Sequence, residues 1–353
     1  MRVGDFILTC AMVWLRLRFA WVDVKFSNLL LYPFYSPIFF HLCTMTSNIP
    51  LITVLGPTAV GKTSFGARLA VELDAEIISA DSRQVFKGMD IGTGKDLADY
   101  RVGEKNVPHH LIDIAEPGSE YNVYRFKHDF LEAWQAIHSR NKLPVLCGGT
   151  GMYLESVLLD YDLVEVPENV ALREKLAGLP DAELIRMIST ARQLHNTTDT
   201  SDRERLIRAL EIEIFKQDHD NLIKRPDFSN TPVFGIRFDR EIIRNRITQR
   251  LYQRLNEGMI DEVKQLMENG VSADRLLFYG LEYKYITLHL KGELSYSQMV
   301  NLLNTAIHQF AKRQMTWFRR MEKKGVRIYW LEGENGLEAN IDKALLYIKN
   351  FDA

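Results

Sequence analysis

From residue 49 onward, short apolar blocks alternate with longer stretches in which apolar positions recur at helical spacing. Leu51 to Leu55 reads as a short buried strand, and after a glycine-bounded turn an amphipathic helix is predicted over about 62–73. Glu76 to Ala80 repeats the strand pattern and ends at Asp81. A polar loop holding Gly88, Gly92 and Gly94 follows, then a helix over Val123 to Arg140, then a strand over Pro144 to Cys147 that runs into Gly148-Gly149-Thr150. Strands alternating with helices predict a parallel sheet. Gly56, Asp81 and Thr150 each follow the carboxyl end of a strand, where open α/β sheets hold their ligands, so the three are expected to share one crevice.

Between about 163 and 225 the pattern turns helical and charged, punctuated by Pro167 and Pro180 and closed by Pro226. This predicts an inserted helical subdomain at 163–225. A strand over Pro232 to Phe238 returns the chain to the sheet, and helices are expected near 240–268, 279–291 and 295–323. The catalytic core is therefore expected to comprise 49–162 and 226–353. Residues 1–48 read differently: Phe6 to Phe40 is rich in Trp, Phe, Leu and Tyr but is broken by Arg16, Arg18, Asp23 and Lys25. It falls short of the run of about 18 apolar residues that a membrane span needs, and lacks the layout of a signal peptide. The expectation is a start at Met45, with 1–48 unstructured or untranslated and no membrane partner.

Composition narrows the picture. At 353 residues the chain can bury a sizeable interior, and its formal charge of −2 argues against wholesale coating of nucleic acid while leaving room for local basic stripes. Cys10, Cys43 and Cys147 form no CxxC pair, so neither a disulfide framework nor a structural zinc site is expected, which fits a cytoplasmic protein.

Gly56-Pro57-Thr58-Ala59-Val60-Gly61-Lys62-Thr63 fits GxxxxGK[ST], and it lies between a predicted strand and a predicted helix, the context that gives the pattern meaning. Loop amides and the helix start would hold phosphate oxygens, Lys62 would neutralise them, and Thr63 would ligate Mg²⁺. The fold expected is thus a P-loop NTPase-like parallel sheet with flanking helices. Phosphate is the ligand class this establishes; nucleotide, and ATP in particular, is left open. Asp81 admits three readings: an outer Mg²⁺ contact, a general base, or the cap of the next turn. Gly148-Gly149-Thr150-Gly151 permits close backbone approach to a ligand and equally suits a tight strand-to-helix turn. His109-His110 lacks a third ligand at suitable spacing, so structural or phosphate contact is favoured over metal.

Basic residues gather late in the chain. Residues 308–327 hold seven Lys or Arg and one acid. Leu303, Ile307, Phe310 and Trp317 make an apolar stripe on the same predicted helix. Arg240, Arg244, Arg246, Arg250 and Arg254 form a second row. Two basic helices beside a phosphate site favour an RNA backbone as partner.

Together, GPTAVGKT, SADSRQVFKGMDIGTGK, HHLID, GGTGMY and AKRQMTWFR resemble the tRNA dimethylallyltransferases, the isopentenyltransferase family of tRNA modification, from about residue 50 to 331. The resemblance implies transfer of dimethylallyl from its diphosphate to N6 of the adenosine 3′-adjacent to the anticodon in tRNAs reading U-starting codons. It maps residues 56–63 to the diphosphate cradle, Asp81 to the base and Thr150 to the reacting centre, with Lys62 and Mg²⁺ on Thr63 as electrostatic partners. It implies tRNA contacts, through the anticodon stem-loop, at Asp81, Ser82, Arg83, Gln84, Thr150, Arg173, Glu204, Arg205, Leu206, Ile207, Arg208, Tyr283, Lys284, Lys312, Arg313, Gln314, Trp317 and Arg319. Phe86 stands where the family usually has Tyr, Glu282 where Gly precedes Tyr-Lys, and His308 where Arg is common. A small-molecule or nucleotide kinase would share the phosphate loop, and a transferase acting on free adenylate would share the chemistry. Neither accounts for the basic C-terminal helices. One chain carries both cradle and RNA grip, so a monomer is expected.

Overall fold

The computed structural model describes residues 49–161, 163, 166–191, 202–218 and 226–351. The expectation for 1–48 lies outside them. In chain order the elements are β1 (Ile52–Leu55), α1 (Lys62–Leu73), β2 (Glu76–Ala80), a 3-10 turn (Leu97–Tyr100), β3 (Arg101–Val102), β4 (Lys105–Asn106), β5 (His109–His110), α2 (Val123–Ser139), β6 (Pro144–Gly148) and α3 (Gly151–Leu158). Then come α4 (Val170–Ala177), α5 (Asp181–Ala191), α6 (Arg203–Asp218), β7 (Val233–Arg237), α7 (Arg240–Asn256), α8 (Met259–Glu268), α9 (Ala273–Phe278), α10 (Leu281–Leu290), α11 (Tyr296–Lys323), β8 (Tyr329–Glu332) and α12 (Leu337–Lys349).

Six strands form one sheet in the order β5-β2-β6-β1-β7-β8, every pair parallel, while β3 and β4 make a small antiparallel hairpin. The predicted parallel α/β sheet with flanking helices is therefore the fold. The strands β1, β2 and β6 are buried throughout, which is why they read as apolar runs. Ile52, Val54, Ile77 and Val145 pack with Phe65 and Leu69 of α1 and with Ala344 of α12 on one face. Leu51, Leu55, Ile78 and Leu146 pack with Phe126 and Phe130 of α2, Leu154 of α3 and Phe318 of α11 on the other. Helices α7 to α11 bury a second large cluster with Val85, Phe86 and Met89. Helices α4 to α6 have their own small core of Leu176, Leu184, Ile188, Leu206 and Leu210.

The register explains the crevice. Gly148 at the end of β6 pairs with Leu55 of β1 and with Ala80 of β2, so the three strands stop at one level. Gly56, Asp81 and Gly149 start from that shared edge.

Several elements differ from the sequence expectation. The helix expected over 240–268 is two, α7 and α8, because Gly258 takes a left-handed φ of 98° that an α-helix cannot continue through. The short strands β5 and β8 and the helices α9 and α12 were not anticipated. Phe310, expected in the apolar stripe of α11, is 39% exposed. The buried line runs instead through Leu303, Ile307, Ala311, Gln314, Phe318 and Met321, one constant face of the helix with Phe310 at its edge.

Candidate active site

The loop after β1 is held by side chains from distant elements. The Thr58 amide donates to Oε1 of Gln314 at 2.8 Å, and Nε of Arg246 donates to the Ala59 carbonyl at 2.9 Å. Ala59 is non-glycine yet sits at φ 65°, a strained conformation that the Arg246 contact helps to hold. Lys62 Nζ donates to the Pro57 carbonyl at 2.7 Å, folding its side chain back over the loop. Burial pulls this ammonium down to about 8, with Arg250 adding to the fall and Cys147 and Asp81 opposing it. Helix α1 begins at Lys62 with no side chain capping it, so the first amides of the helix have no partner within it and point at the crevice. Thr63 follows, half-buried.

Across the crevice, Oδ1 of Asp81 accepts from the amides of Arg83 at 2.9 Å and Gln84 at 3.4 Å. The turn-capping reading of Asp81 is thus real, and Oδ2 is the oxygen left over. The Thr150 hydroxyl accepts from the Ser82 amide at 3.0 Å, and the Thr150 amide donates to the Ala80 carbonyl at 3.2 Å, tying the ends of β2 and β6 together. The Gln84 side chain spans Ser79 and the Gly94 carbonyl.

The loop that follows is pinned by charge. Buried Lys95 pairs with Asp90 at 2.7 Å and with Asp113, and donates to the Phe86 carbonyl at 2.8 Å. Glu262 of α8 accepts from the amides of Asp90, Ile91 and Gly92 and from the Tyr283 hydroxyl at 2.7 Å. Two of the motif stretches therefore meet in the Lys95–Asp113 ion pair. Phe86 is fully buried against Tyr279, its ring centroid 4.6 Å away, so the missing hydroxyl leaves packing intact. His110 Nε2 lies 2.7 Å from Glu76, and His109 sits against Tyr100, so the histidine pair has a structural place.

The arginines of α7 turn toward the loop more than sequence reasoning anticipated. Arg250 and Arg254 lie 3.3 Å and 3.5 Å from Asp96 and pack against Gly94, where any side chain would strike their guanidinium groups. Burial and the neighbouring Arg254 bring Arg250 down to about 10. Glu282 is pushed up by burial, with Arg254 and Arg250 opposing, so it belongs to this charge cluster beside Thr58 and Ala59. The sequence signal for this approach was Gly94; Gly92 instead makes room for the Tyr283 ring. Arg240 and Arg244 instead line a cavity of about 830 Å³ with Pro57, Ile243, Ile247, His308, Lys312, Met315, Arg319 and Trp330. His308 touches Thr248 at 3.3 Å and is held down by burial and Arg244.

The residues expected to meet RNA divide into two groups. Lys284, Lys312, Arg313, Arg319, Glu204 and Arg205 are exposed. Leu206 and Tyr283 are 1% exposed and belong to core clusters; their side chains offer RNA no surface, a correction that follows from their apolar packing. Arg173 is engaged by Glu211 at 2.9 Å and Glu168 at 2.8 Å, and Arg208 by Glu211 and the Val166 carbonyl. Burial would raise Glu211, but bonds from Arg173, Asn169 and Arg208 hold it below the usual carboxylate range. Ile207 is half-buried beside that core. Trp317 packs on Gly151, lies under the Arg320 guanidinium at 3.9 Å, and leaves its buried Nε1 without a partner. Gln314 is buried and bonded to the phosphate loop.

What these strand ends build is a crevice at one edge of a P-loop-like α/β sheet, with a basic, partly apolar cavity alongside. The profile described as IPP transferase matches residues 84–321. The chain is 52% identical over 302 residues to tRNA dimethylallyltransferase 2 of Phocaeicola vulgatus, covering 85% of this chain and 98% of that one. It is 54% identical over 283 residues to tRNA dimethylallyltransferase 1 of Azobacteroides pseudotrichonymphae, covering 80% and 92%. Among solved structures it is similar to the full-length tRNA isopentenylpyrophosphate transferase of Bacillus halodurans, with TM-score 0.62 and 30% identity over 85% of this chain and 96% of that one. The fold is shared with a eukaryotic dimethylallyltransferase at TM-score 0.69 and 24% identity, over 85% of this chain and 78% of that one. The chain belongs to the IPP transferase family.

Proposed function

We propose that this protein transfers a dimethylallyl group from dimethylallyl diphosphate to N6 of the adenosine 3′-adjacent to the anticodon in tRNAs reading U-starting codons, with release of diphosphate. The observation that carries the reading is the meeting of the loop after β1, Asp81 and Thr150 at one edge of the sheet, with a cavity of cations and apolar walls that reaches Pro57 alongside. The cavity's volume of about 830 Å³ lies within the usual range for small-molecule sites. A short hydrocarbon on a diphosphate needs both kinds of lining.

The chemistry follows from the reactants. The N6 lone pair of adenine is delocalised into the ring, so the electrophile must be made reactive. The carbon–oxygen bond of the allylic diphosphate breaks, and its electron pair leaves with the diphosphate. Lys62 and the uncapped start of α1 face that growing charge. The Thr63 hydroxyl suits a hard cation, and Mg²⁺ held there would add positive charge at the leaving group. N6 forms the new carbon–nitrogen bond, and its proton passes to the Asp81 carboxylate. The base must first leave its stack, at a cost of a few kcal/mol that the grip of the exposed Lys284 and Arg313 on the phosphate backbone offsets. One chain holds both sites and acts as a monomer, in the cytoplasm where its RNA substrate is. Among the described residues no helix is long and apolar enough to cross a membrane.

The test is transfer of labelled dimethylallyl from its diphosphate to an unmodified anticodon stem-loop, with Asp81→Ala alongside. Label in the wild-type RNA and roughly a hundredfold less with the variant is the expected result. Label only on free adenylate, or turnover of ATP with no transfer, would replace this reading with the free-nucleotide transferase or the kinase.

A further inference from the structure

Gln314 lies on the basic helix whose neighbours face RNA, yet it points the other way. Its side chain is 7% exposed. Oε1 accepts from the Thr58 amide at 2.8 Å, and Nε2 donates to the Gly149 carbonyl at 2.9 Å. One amide group thus bridges the phosphate loop after β1 and the turn after β6. The bridge is asymmetric: it needs an acceptor on one side and a donor on the other, which among similarly sized side chains only Gln supplies.

Space at the junction is filled to contact. A Cβ on Gly149 would sit 2.6 Å from Gln314 Nε2, 3.4 Å from the Gly56 carbonyl oxygen and 3.5 Å from Lys62 Cε. The two ends of the phosphate loop, the lysine and helix α11 therefore meet at one point. Around Gln314 the helix is anchored on the same side by buried Ala311 and Phe318, while Lys312, Arg313 and Arg319 remain exposed. Because Thr58 N–H is occupied by Gln314, it is withdrawn from the set of amides that can hold phosphate. The anion is left to the start of α1 and Lys62.

We propose that Gln314 is a positioning residue for the diphosphate-binding loop rather than a contact to RNA, and that through it the RNA-facing helix sets the shape of the loop. This rests on the transferase reading above. Removing either half of the bridge lets the loop relax away from the geometry that receives diphosphate, while the exposed face of α11 stays as it was.

The experiment compares Gln314→Glu, which keeps the acceptor and loses the donor, and Gln314→Met, which loses both, with wild type and with Arg313→Ala as an RNA-side contrast. Transfer kinetics give a separate KM for dimethylallyl diphosphate and for the stem-loop. Calorimetry gives the affinity for inorganic diphosphate without RNA, and circular dichroism establishes that each variant is folded. In both Gln314 variants the diphosphate KM should rise roughly tenfold or more, as expected for a buried polar group losing its partner, with the stem-loop KM within about twofold of wild type. Arg313→Ala should do the reverse. A rise in the stem-loop KM alone, or an unchanged diphosphate KM in a folded variant, would overturn the proposal. If Gln314→Met does not fold, Gln314→Glu and Gly149→Ala, which crowds the same amide, carry the comparison. If wild type transfers nothing, weaker inorganic diphosphate binding by folded, uncharged Gln314→Met or Gly149→Ala still supports the bridge while the transferase reading fails.

Discussion

Lys62 is the residue at which the proposed diphosphate binding and the stability of the fold oppose each other. Burial lowers its ammonium to about 8, so in the free protein it is charged below that pH and increasingly neutral above it. Bound diphosphate favours the charged form, so the KM for the allylic diphosphate should be lowest below about pH 8 and should climb by up to roughly tenfold per unit above it. A wild-type profile flat to pH 9 would contradict this. The same shift has a stability consequence. A lysine whose folded value lies below the free value binds fewer protons folded than unfolded between the two, so stability rises with pH from about 8 upward. Below pH 8 the buried charge costs the fold free energy. Lys62→Met should therefore melt higher than wild type at pH 7 in a thermal scan, with diphosphate binding nearly lost and the pH dependence of KM gone. The loop pattern identified Lys62 from sequence; its lowered basicity comes from burial first and then from Arg250, which no local pattern contains.

Helix α11 shows how an element divides its labour. Its outer face carries the exposed cations, and its inner face carries Gln314 and the buried line to Met321. Its far end is fastened by Glu155 of α3, which is fully buried and pairs with Arg320 at 2.8 Å and Lys324 at 2.6 Å, while Tyr161 donates to it at 2.7 Å. Burial alone would raise the Glu155 carboxyl, but bonds from Lys324, Arg320 and Tyr161 leave it lowered. A lowered folded value stabilises above the ordinary glutamate range and is lost as pH falls through it. Glu155→Ala should cost roughly 2 kcal/mol at pH 7, below the cost of breaking a fully enclosed pair because both cations can turn to water. The difference from wild type should shrink on acidification below pH 4, measured by urea unfolding at each pH. Counting basic residues along 308–327 treated all seven as one cationic face. Arg320 and Lys324 are instead spoken for by an acid about 165 residues away in the chain.

At the scale of the molecule, the sheet and the helical insert have separate cores. Leu176, Leu184, Leu206 and Leu210 bury against one another within α4 to α6, while the strands pack against α1, α2, α3, α11 and α12. Phe228, just before β7, packs edge-on against Phe130 and Trp134 of α2, each ring 5.5 Å away, so the chain re-enters the sheet body on the α2 side. Replacing 163–225 by a short flexible linker should leave inorganic diphosphate affinity within about threefold of wild type by calorimetry, since the cradle takes no residue from the insert. The stem-loop KM should rise roughly tenfold or more, because the exposed Arg205 and its neighbours go with it. Loss of diphosphate binding in the folded deletion variant would show that the two parts are not separable.

The parallel sheet, the phosphate loop and the meeting of Gly56, Asp81 and Thr150 were legible because each depends on local patterns: apolar runs, glycine spacing, and the rule that strand ends share an edge. The short strands β5 and β8 were not, since two to four residues hold no period and become strands only by pairing with β2 and β7. Tertiary structure alone decided which members of a motif face outward. Leu206 and Tyr283 turned into cores, Arg246 and Gln314 onto the phosphate loop, and Arg313 and Lys312 toward solvent. A motif records which residues a site needs; burial and hydrogen-bond partners come from segments hundreds of residues apart, as Thr58 and Gln314 are, and only the packed chain brings these together.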